Sequence, residues 1–261
     1  VKTEGRYLAH RLDRRGTSSE PFVYSNYVVS LDGRIALEYP HSGHTGVPKT
    51  ITSAVDWRLY QELAAQADVL LTSGRYLREL AAGKAQDGLP VGENFPDLLA
   101  WRREQGLEEQ PAVVILSRSL DLPLEIVLQD AKRKVYVATG ANADKRRLAA
   151  VAETGVPVLL AGEDKEVDGC RLIEELGAKG YRSIYSIAGP GLLDTLLRAA
   201  KVDRLYLTQV HTLLGGQCYD TLLESQVLEP AARFELEELY FDRGDDERQG
   251  QMFGVYRRGR E

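Results

Sequence analysis

The sequence predicts an α/β protein of three layers: a mostly parallel β-sheet with helices on both faces and an antiparallel hairpin at its C-terminal edge. Three observations carry this reading. From residue 112 onward, apolar strand-like runs alternate with segments of helical periodicity, the pattern that builds parallel sheets. Within that alternation, Ser183-Ile184-Tyr185-Ser186-Ile187-Ala188 runs into Gly189-Pro190-Gly191 and then into Leu192-Leu193-Asp194-Thr195-Leu196-Leu197. This reads as strand, tight turn and helix. At the end, residues 232–242 and 250–258 alternate in polarity around a charged turn at 243–249, as an edge hairpin does.

Residues 1–20 are polar and charged and are expected to form an N-terminal strap or arm. A single domain is expected over 21–261, because neither a linker nor an internal repeat interrupts the pattern. Residues 21–30, rich in β-branched and aromatic side chains, predict a strand that Leu31-Asp32-Gly33-Arg34 bends. Residues 40–49, punctuated by glycine and proline, read as an exposed loop. Thr52 or Ser53 caps a helix to about residue 67, with Val55, Leu59, Leu63 and Ala67 at helical spacing. Residues 68–72 are strand-like and meet Ser73-Gly74, and a helix follows over 75–82. Between 83 and 110 periodicity fades except over 96–105. Strands are then expected at 112–117, 134–138, 156–160, 182–188 and 203–210, with helices at 143–154, 169–179 and 191–200.

At 261 residues, with 43% hydrophobic and 28% charged side chains, the chain is globular in composition and shows no sign of disorder or collagen. A net charge of -6 gives no electrostatic reason to expect nucleic acid or an anionic membrane. No apolar run approaches the roughly 18 residues of a membrane span, and the N-terminus has no signal-peptide core. A cytoplasmic location is expected. Cys170 and Cys218 form no metal-type cluster and are expected to be buried thiols.

Open α/β sheets bind ligands outside the carboxyl ends of their strands. Four such ends carry small hydroxyl residues or glycine: Thr72-Ser73-Gly74, Ser117-Arg118, Thr139-Gly140 and Gly189-Pro190-Gly191. Small residues at a helix start let backbone N–H groups approach an anion at the positive end of the helix dipole. Arg118 can pair with a 2′-phosphate as a planar bidentate donor. Each end alone also reads as ordinary turn chemistry, with Pro190 at a first helical position where its missing N–H costs little. Together they predict a dinucleotide site.

His41-Ser42-Gly43-His44 lacks the helical HExxH spacing and an adjoining ligand, so it reads as a solvated loop and no metal is expected. His211 reads as structural. The carboxylates at 168–175 and 224–238 read as charged faces. Neither a Gly-x-Ser-x-Gly elbow nor a Walker-type loop occurs, which argues against an α/β-hydrolase or a P-loop ATPase.

Ser30-Leu31-Asp32-Gly33-Arg34-Ile35-Ala36, Ile51-Thr52-Ser53, Asp68-Val69-Leu70-Leu71-Thr72-Ser73-Gly74 and Leu213-Leu214-Gly215-Gly216 follow one another in order. With 111–117 and 172–197, they make residues 22–258 resemble the C-terminal reductase domain of the bacterial bifunctional riboflavin-biosynthesis deaminase-reductase. No segment resembles the zinc deaminase half. The resemblance implies a dihydrofolate-reductase-like fold, NADPH as hydride donor, a homodimer, and reduction of a ribosylamino-pyrimidine phosphate to its ribitylamino form. Carried across by position, cofactor contacts fall on Thr50, Thr52, Thr72, Ser73, Gly74 and Ser117, and on Ala188, Gly189, Pro190, Gly191, Leu192 and Leu193.

Departures from the family cluster on the substrate side. Ile187-Ala188-Gly189 stands where the family often has an acidic residue and two glycines, and Ala64 stands where it places a basic residue. Residues 80–90 replace its Asp-Pro segment. The reading is therefore an NADPH-dependent reductase with a small, pyrimidine- or pterin-like substrate and no assigned catalytic residue. Asn26, Asp32 and Arg34 are the substrate-side candidates, although Asp32 and Arg34 also read as fixing the bend after Ser30. The alternative is a nucleotide-binding sensor or partner-binding module without turnover, which NADPH oxidation distinguishes.

Overall fold

Strand β1 (Phe22–Ser30) presents Tyr24 to one buried layer and Val23, Tyr27 and Val29 to the other, and a strand apolar on both faces belongs inside a covered sheet. It pairs in parallel with β8 (Ser183–Ser186) on one side and β9 (Arg204–Val210) on the other. The computed structural model describes residues 4–39, 44–92, 94–129, 133–244 and 249–259. Beyond β8 come, also parallel, β4 (Val69–Ser73), β5 (Ala112–Leu116), β6 (Val135–Thr139) and β7 (Val158–Leu160). On the far side of β9, β12 (Gln251–Arg258) and β11 (Phe234–Asp242) run antiparallel to their neighbours as the expected edge hairpin.

Residues 40–49, expected as a loop, contain part of a second sheet. In it β3 (His44–Gly46) pairs with β2 (Ala36–Tyr39), which pairs with β10 (Tyr219–Asp220). Its ladder depends on a segment that follows β9, a tertiary pairing that local periodicity does not reveal.

Helices α1 (Ala54–Ala65), α2 (Gly74–Ala81), α3 (Pro96–Glu104), α4 (Glu125–Leu128) and α5 (Lys145–Glu153) set Leu59, Leu63, Leu77, Leu98, Val127 and Val151 into one core. On the opposite face α6 (Gly169–Ala178) and α7 (Pro190–Arg198) contribute Leu172, Leu176, Leu193 and Leu196 to the other. Ser53 starts α1 by accepting the Asp56 N–H at 3.0 Å, and Ser73 starts α2 by accepting that of Tyr76 at 3.3 Å. At the far end of α1, buried Arg102 of α3 donates to the carbonyls of Ala65 and Ala67 at 2.9 and 2.8 Å. Ala65 O is a terminal acceptor that the helix itself leaves unpaired, and Ala67 O belongs to the turn that follows it. Burial lowers the Arg102 pKa to about 10, so it remains cationic at neutral pH.

Residues 4–20 form a strap docked on α1 and β9. Tyr7 and Leu12 are buried. The Glu62 carboxylate accepts the N–H groups of Gly5 and Tyr7 at 2.5 and 3.0 Å, and Gln66 accepts that of Leu12 at 2.9 Å. Both cysteines are free, but Cys218, expected to be buried, is exposed in the stretch before β10, and Cys170 is half-buried. Among the described residues no helix is long and apolar enough to cross a membrane.

His10 of the strap lies 2.8 Å from the Tyr206 hydroxyl through Nδ1. Burial, reinforced by Arg204 and Arg15, lowers its pKa from 6.5 to about 4. The unfolded chain takes up this proton first, so the stability His10 supplies is complete above about pH 6.5 and is lost as pH falls towards 4. His10→Gln removes that dependence. In urea unfolding, the stability difference between wild type and variant should shift against the wild type between pH 7 and pH 4.5.

Candidate functional site

The parallel strands end on one edge, and β8 determines what gathers there. Its last residue, Ser186, is in register with Ser25 of β1 and Leu71 of β4. Ile187 still donates its N–H to Leu71 O at 3.0 Å before the chain turns through Ala188 and Gly189 into α7. No side chain caps α7, whose first residue is Pro190; Leu192 and Leu193 donate their N–H groups to Gly189 O at 3.2 and 3.4 Å, which leaves the Gly191 N–H as the first-turn donor outside the helix ladder. Neither Gly189 nor Gly191 has a positive φ. A Cβ added at either would meet nothing within 4 Å. Conformation and packing therefore leave both glycines unexplained, and what remains is open space above the positive end of a helix. Gly140 and Gly162 are different: a Cβ there would lie 2.0 Å from Asp164 O and Glu166 O respectively, so close packing of the β7–α6 connection requires them.

Around this turn the sequence-predicted residues fall into separate groups. Thr72 and Thr139 are buried with hydroxyls that have no hydrogen-bond partner. Ser73 serves as the α2 cap, and the Ser117 hydroxyl accepts the Leu120 N–H at 2.9 Å. Gly74 lies against Ser117 Oγ, which an added Cβ would approach to 3.1 Å. Thr50 and Thr52 are exposed ahead of α1, and the Thr52 hydroxyl donates to Lys49 O at 3.1 Å. Arg118 pairs with Glu166 at 3.0 Å in an exposed position. It lines a cleft of about 850 Å³ with Lys165 and Arg171 and with the carboxylates of Glu163, Asp164, Glu166 and Asp168. The connection at 162–168 was not foreseen as part of the site, although its spaced glycines were the available signal.

Asp32 and Arg34 are engaged within the protein. Asp32 accepts the Ser30 hydroxyl at 2.5 Å and the N–H groups of Leu214 and Gly215 at 3.2 and 2.9 Å, and it pairs with Arg34. The Arg34 guanidinium also lies 4.3 Å from the centre of the Tyr219 ring. The two sequence motifs, Ser-Leu-Asp-Gly-Arg and Leu-Leu-Gly-Gly, are thus two halves of one contact. His41, Ser42 and Gly43 lie outside the described residues. His211 is exposed at the end of β9, its ring stacked on Phe241 at 5.6 Å.

Asn26 is half-buried on the α1 side of β1, in register with Tyr206 and beside the Tyr185 phenol. An aromatic wall adjoins it. Trp57 and Tyr60 stack at 5.0 Å, and Tyr60 lies 5.6 Å from Tyr185. Residues 86–88 close over this wall, with Tyr60 donating to Gly88 O at 3.2 Å and Tyr76 to Gln86 O at 2.8 Å. Ile187 packs against the same core and Ala64 is wholly buried within it.

Sequence reasoning missed Asp56. It sits in the first turn of α1, where an acid reads as ordinary helix-start chemistry. In the fold its side chain is buried, with Oδ1 lacking a partner. Burial raises its pKa from 3.8 to about 6, opposed by a hydrogen bond from the Thr208 hydroxyl.

A family model described as the RibD C-terminal domain matches residues 21–242. The chain is 27% identical over 209 residues to the 2,5-diamino-6-ribosylamino-4(3H)-pyrimidinone 5′-phosphate reductase of Aquifex aeolicus, covering 78% of this chain and 82% of that protein. It is 30% identical over 246 residues to the riboflavin biosynthesis protein RibD of Escherichia coli, covering 92% of this chain and 62% of that protein. Among solved structures, a pyrimidine reductase-like protein from Corynebacterium diphtheriae shares the fold with a TM-score of 0.72 at 20% identity, over 100% of both chains. The riboflavin biosynthesis reductase Rib7 of Saccharomyces cerevisiae gives a TM-score of 0.57 at 17% identity, over 98% of this chain and 99% of that one.

The contact between the two motifs has a measurable consequence. Asp32→Ala leaves Arg34 and two loop N–H groups without their acceptor. It should lower unfolding stability by about 2–3 kcal/mol, read from the urea midpoint.

Proposed function

The chain belongs to the RibD C-terminal domain family, and we propose from that membership that it is a cytoplasmic NADPH-dependent reductase of a small pyrimidine- or pterin-like substrate. One observation carries the cofactor reading: the uncapped start of α7 stands open at two glycines that neither φ nor packing explains. A pyrophosphate fits such a place, because backbone N–H groups can approach it closely. The unpartnered hydroxyls of Thr72 and Thr139 suit further ribose or phosphate oxygens.

In this reading Ala188, Gly189, Pro190, Gly191, Leu192 and Leu193 hold the pyrophosphate. Thr72, Ser73, Gly74 and Ser117 line the neighbouring strand ends, with Thr50 and Thr52 in front of α1. Arg118, Lys165 and Arg171 offer cations to a 2′-phosphate. Bound NADPH supplies the hydride. The protein's own residues hold the reactants in line and keep water out. The pyrimidinone reductase relative supports a heteroaromatic substrate, placed between Asn26, the Trp57–Tyr60 wall and Ile187. Asp32 and Arg34 act on it indirectly by fixing the loops after β1 and β9.

The homodimer is assigned to the hairpin edge. Leu236, Leu239 and Phe241 of β11 are 52%, 55% and 45% exposed on the edge strand of the sheet among the described residues. A second copy is the occupant that would continue it.

The deciding assay is NADPH oxidation by purified protein against pyrimidine, pterin and flavin-precursor substrates. Turnover with one of them is expected; binding without any oxidation would instead favour a nucleotide-binding module. Gly189→Val should weaken NADPH binding at least about tenfold, or about 1.4 kcal/mol, while leaving the melting temperature essentially unchanged, since its side chain enters open space. Leu239→Glu should convert a dimer to a monomer in light scattering after size exclusion. A wild-type monomer would remove the dimer assignment.

A further inference from the structure

Granting that the turn into α7 receives the dinucleotide, we infer that Tyr27 is a positioning residue for it: the phenol fixes the Ala188–Gly189 peptide so that the Gly189 N–H faces the pyrophosphate. A direct contact carries the assignment. The Tyr27 hydroxyl donates to Ala188 O at 2.9 Å, between residues 161 positions apart in the chain. Strand register brings them level. Ser25 of β1 is opposite Ser186 of β8, and Tyr27 and Ala188 each stand two residues further on. Both are buried in the layer that holds Leu192 and Leu193 of α7.

A trans peptide points its C=O and its N–H in opposite directions. The Ala188–Gly189 bond is trans, so a carbonyl drawn inward to Tyr27 turns the Gly189 N–H outward. Among the described residues that N–H has no acceptor. The groups on either side are already used, because the Ile187 N–H goes to Leu71 O at 3.0 Å and Gly189 O receives the N–H groups of Leu192 and Leu193. Pro190 has no N–H to offer. Gly189 and Gly191 are therefore the two backbone donors of the turn, and a Cβ added at either would meet nothing within 4 Å.

The orientation of this one peptide matters twice to an anion. It presents a donor, and it keeps the partly negative Ala188 oxygen turned away. A peptide turned over would reverse both effects. Phenylalanine at position 27 keeps the ring and its packing but leaves a buried carbonyl without its donor, which removes the reason for the peptide to stay as it is. Burial raises the Tyr27 pKa, so the phenol remains a donor through the working pH range.

The test titrates wild type and Tyr27→Phe with NADPH and with NADH, follows turnover, and records amide proton–nitrogen correlation spectra with and without NADPH. Tyr27→Phe should weaken both nucleotides by the same factor, at least about tenfold or about 1.4 kcal/mol, since both carry the pyrophosphate. KM for NADPH should rise by that factor while kcat at saturation is unchanged. In wild type the Gly189 amide resonance should move downfield when NADPH binds, and in Tyr27→Phe that movement should be lost. A purely structural tyrosine would lower the urea midpoint of the variant and leave the affinities and the Gly189 shift of the folded protein as they are.

If wild type binds NADPH and its Gly189 resonance does not move, the assignment is overturned whatever the variant does. It is overturned equally if Tyr27→Phe binds both nucleotides within about twofold of wild type. In either case the nucleotide reading stands. If wild type binds neither nucleotide, that reading fails and the assignment fails with it.

Discussion

The insertion of β8 between β1 and β4 is the constraint on which the rest of the structure depends. Strands β4 to β7 are laid down in order away from β1, and the chain then crosses back to fill the gap it left. Because β8 is parallel to both neighbours, its exit must lie on the same edge as theirs. That geometry brings the Gly189-Pro190-Gly191 turn beside Thr72 and the end of β1, positions separated by more than a hundred residues in sequence. The next strand, β9, completes the arrangement on the other side of β1, and Asp32 binds the two resulting loops together.

The site costs the fold something. Unpartnered polar atoms at Asp56, Thr72, Thr139 and Tyr185 each lower stability relative to a satisfied or apolar core. Thr72 and Thr139 lie where β4 and β6 end, while Ser183 and Arg204, which start β8 and β9, also carry unpartnered polar atoms. Arg102 shows the contrast: it is equally buried but fully engaged with the carbonyls at the end of α1.

Much of the fold was legible in the sequence because the signals were local. The helix of α1 announced a cap at Thr52 or Ser53, of which the fold uses Ser53, and the β8–turn–α7 segment could be read from one apolar run and two glycines. The edge hairpin followed from alternation alone. The second sheet was not legible, because β3 is only three residues long and its order depends on β2 and, beyond it, β10. The strap was expected at 1–20, but the burial of Tyr7 and Leu12 in it was not, because neither sits in a periodic pattern. At the site, strand-end hydroxyls and glycines could be found from their position after apolar runs. Asp56 could not, since its burial comes from sheet packing, and Asp32 looked as suited to a substrate as to the loop it holds.

The most direct measurement is calorimetric titration of the wild-type protein with NADPH and, separately, NADH. The expected result is saturable micromolar binding of NADPH, with NADH weaker because it offers no 2′-phosphate to Arg118, Lys165 and Arg171. Absence of saturable binding of either nucleotide would contradict the assignment of the strand-end site, and with it the reductase function.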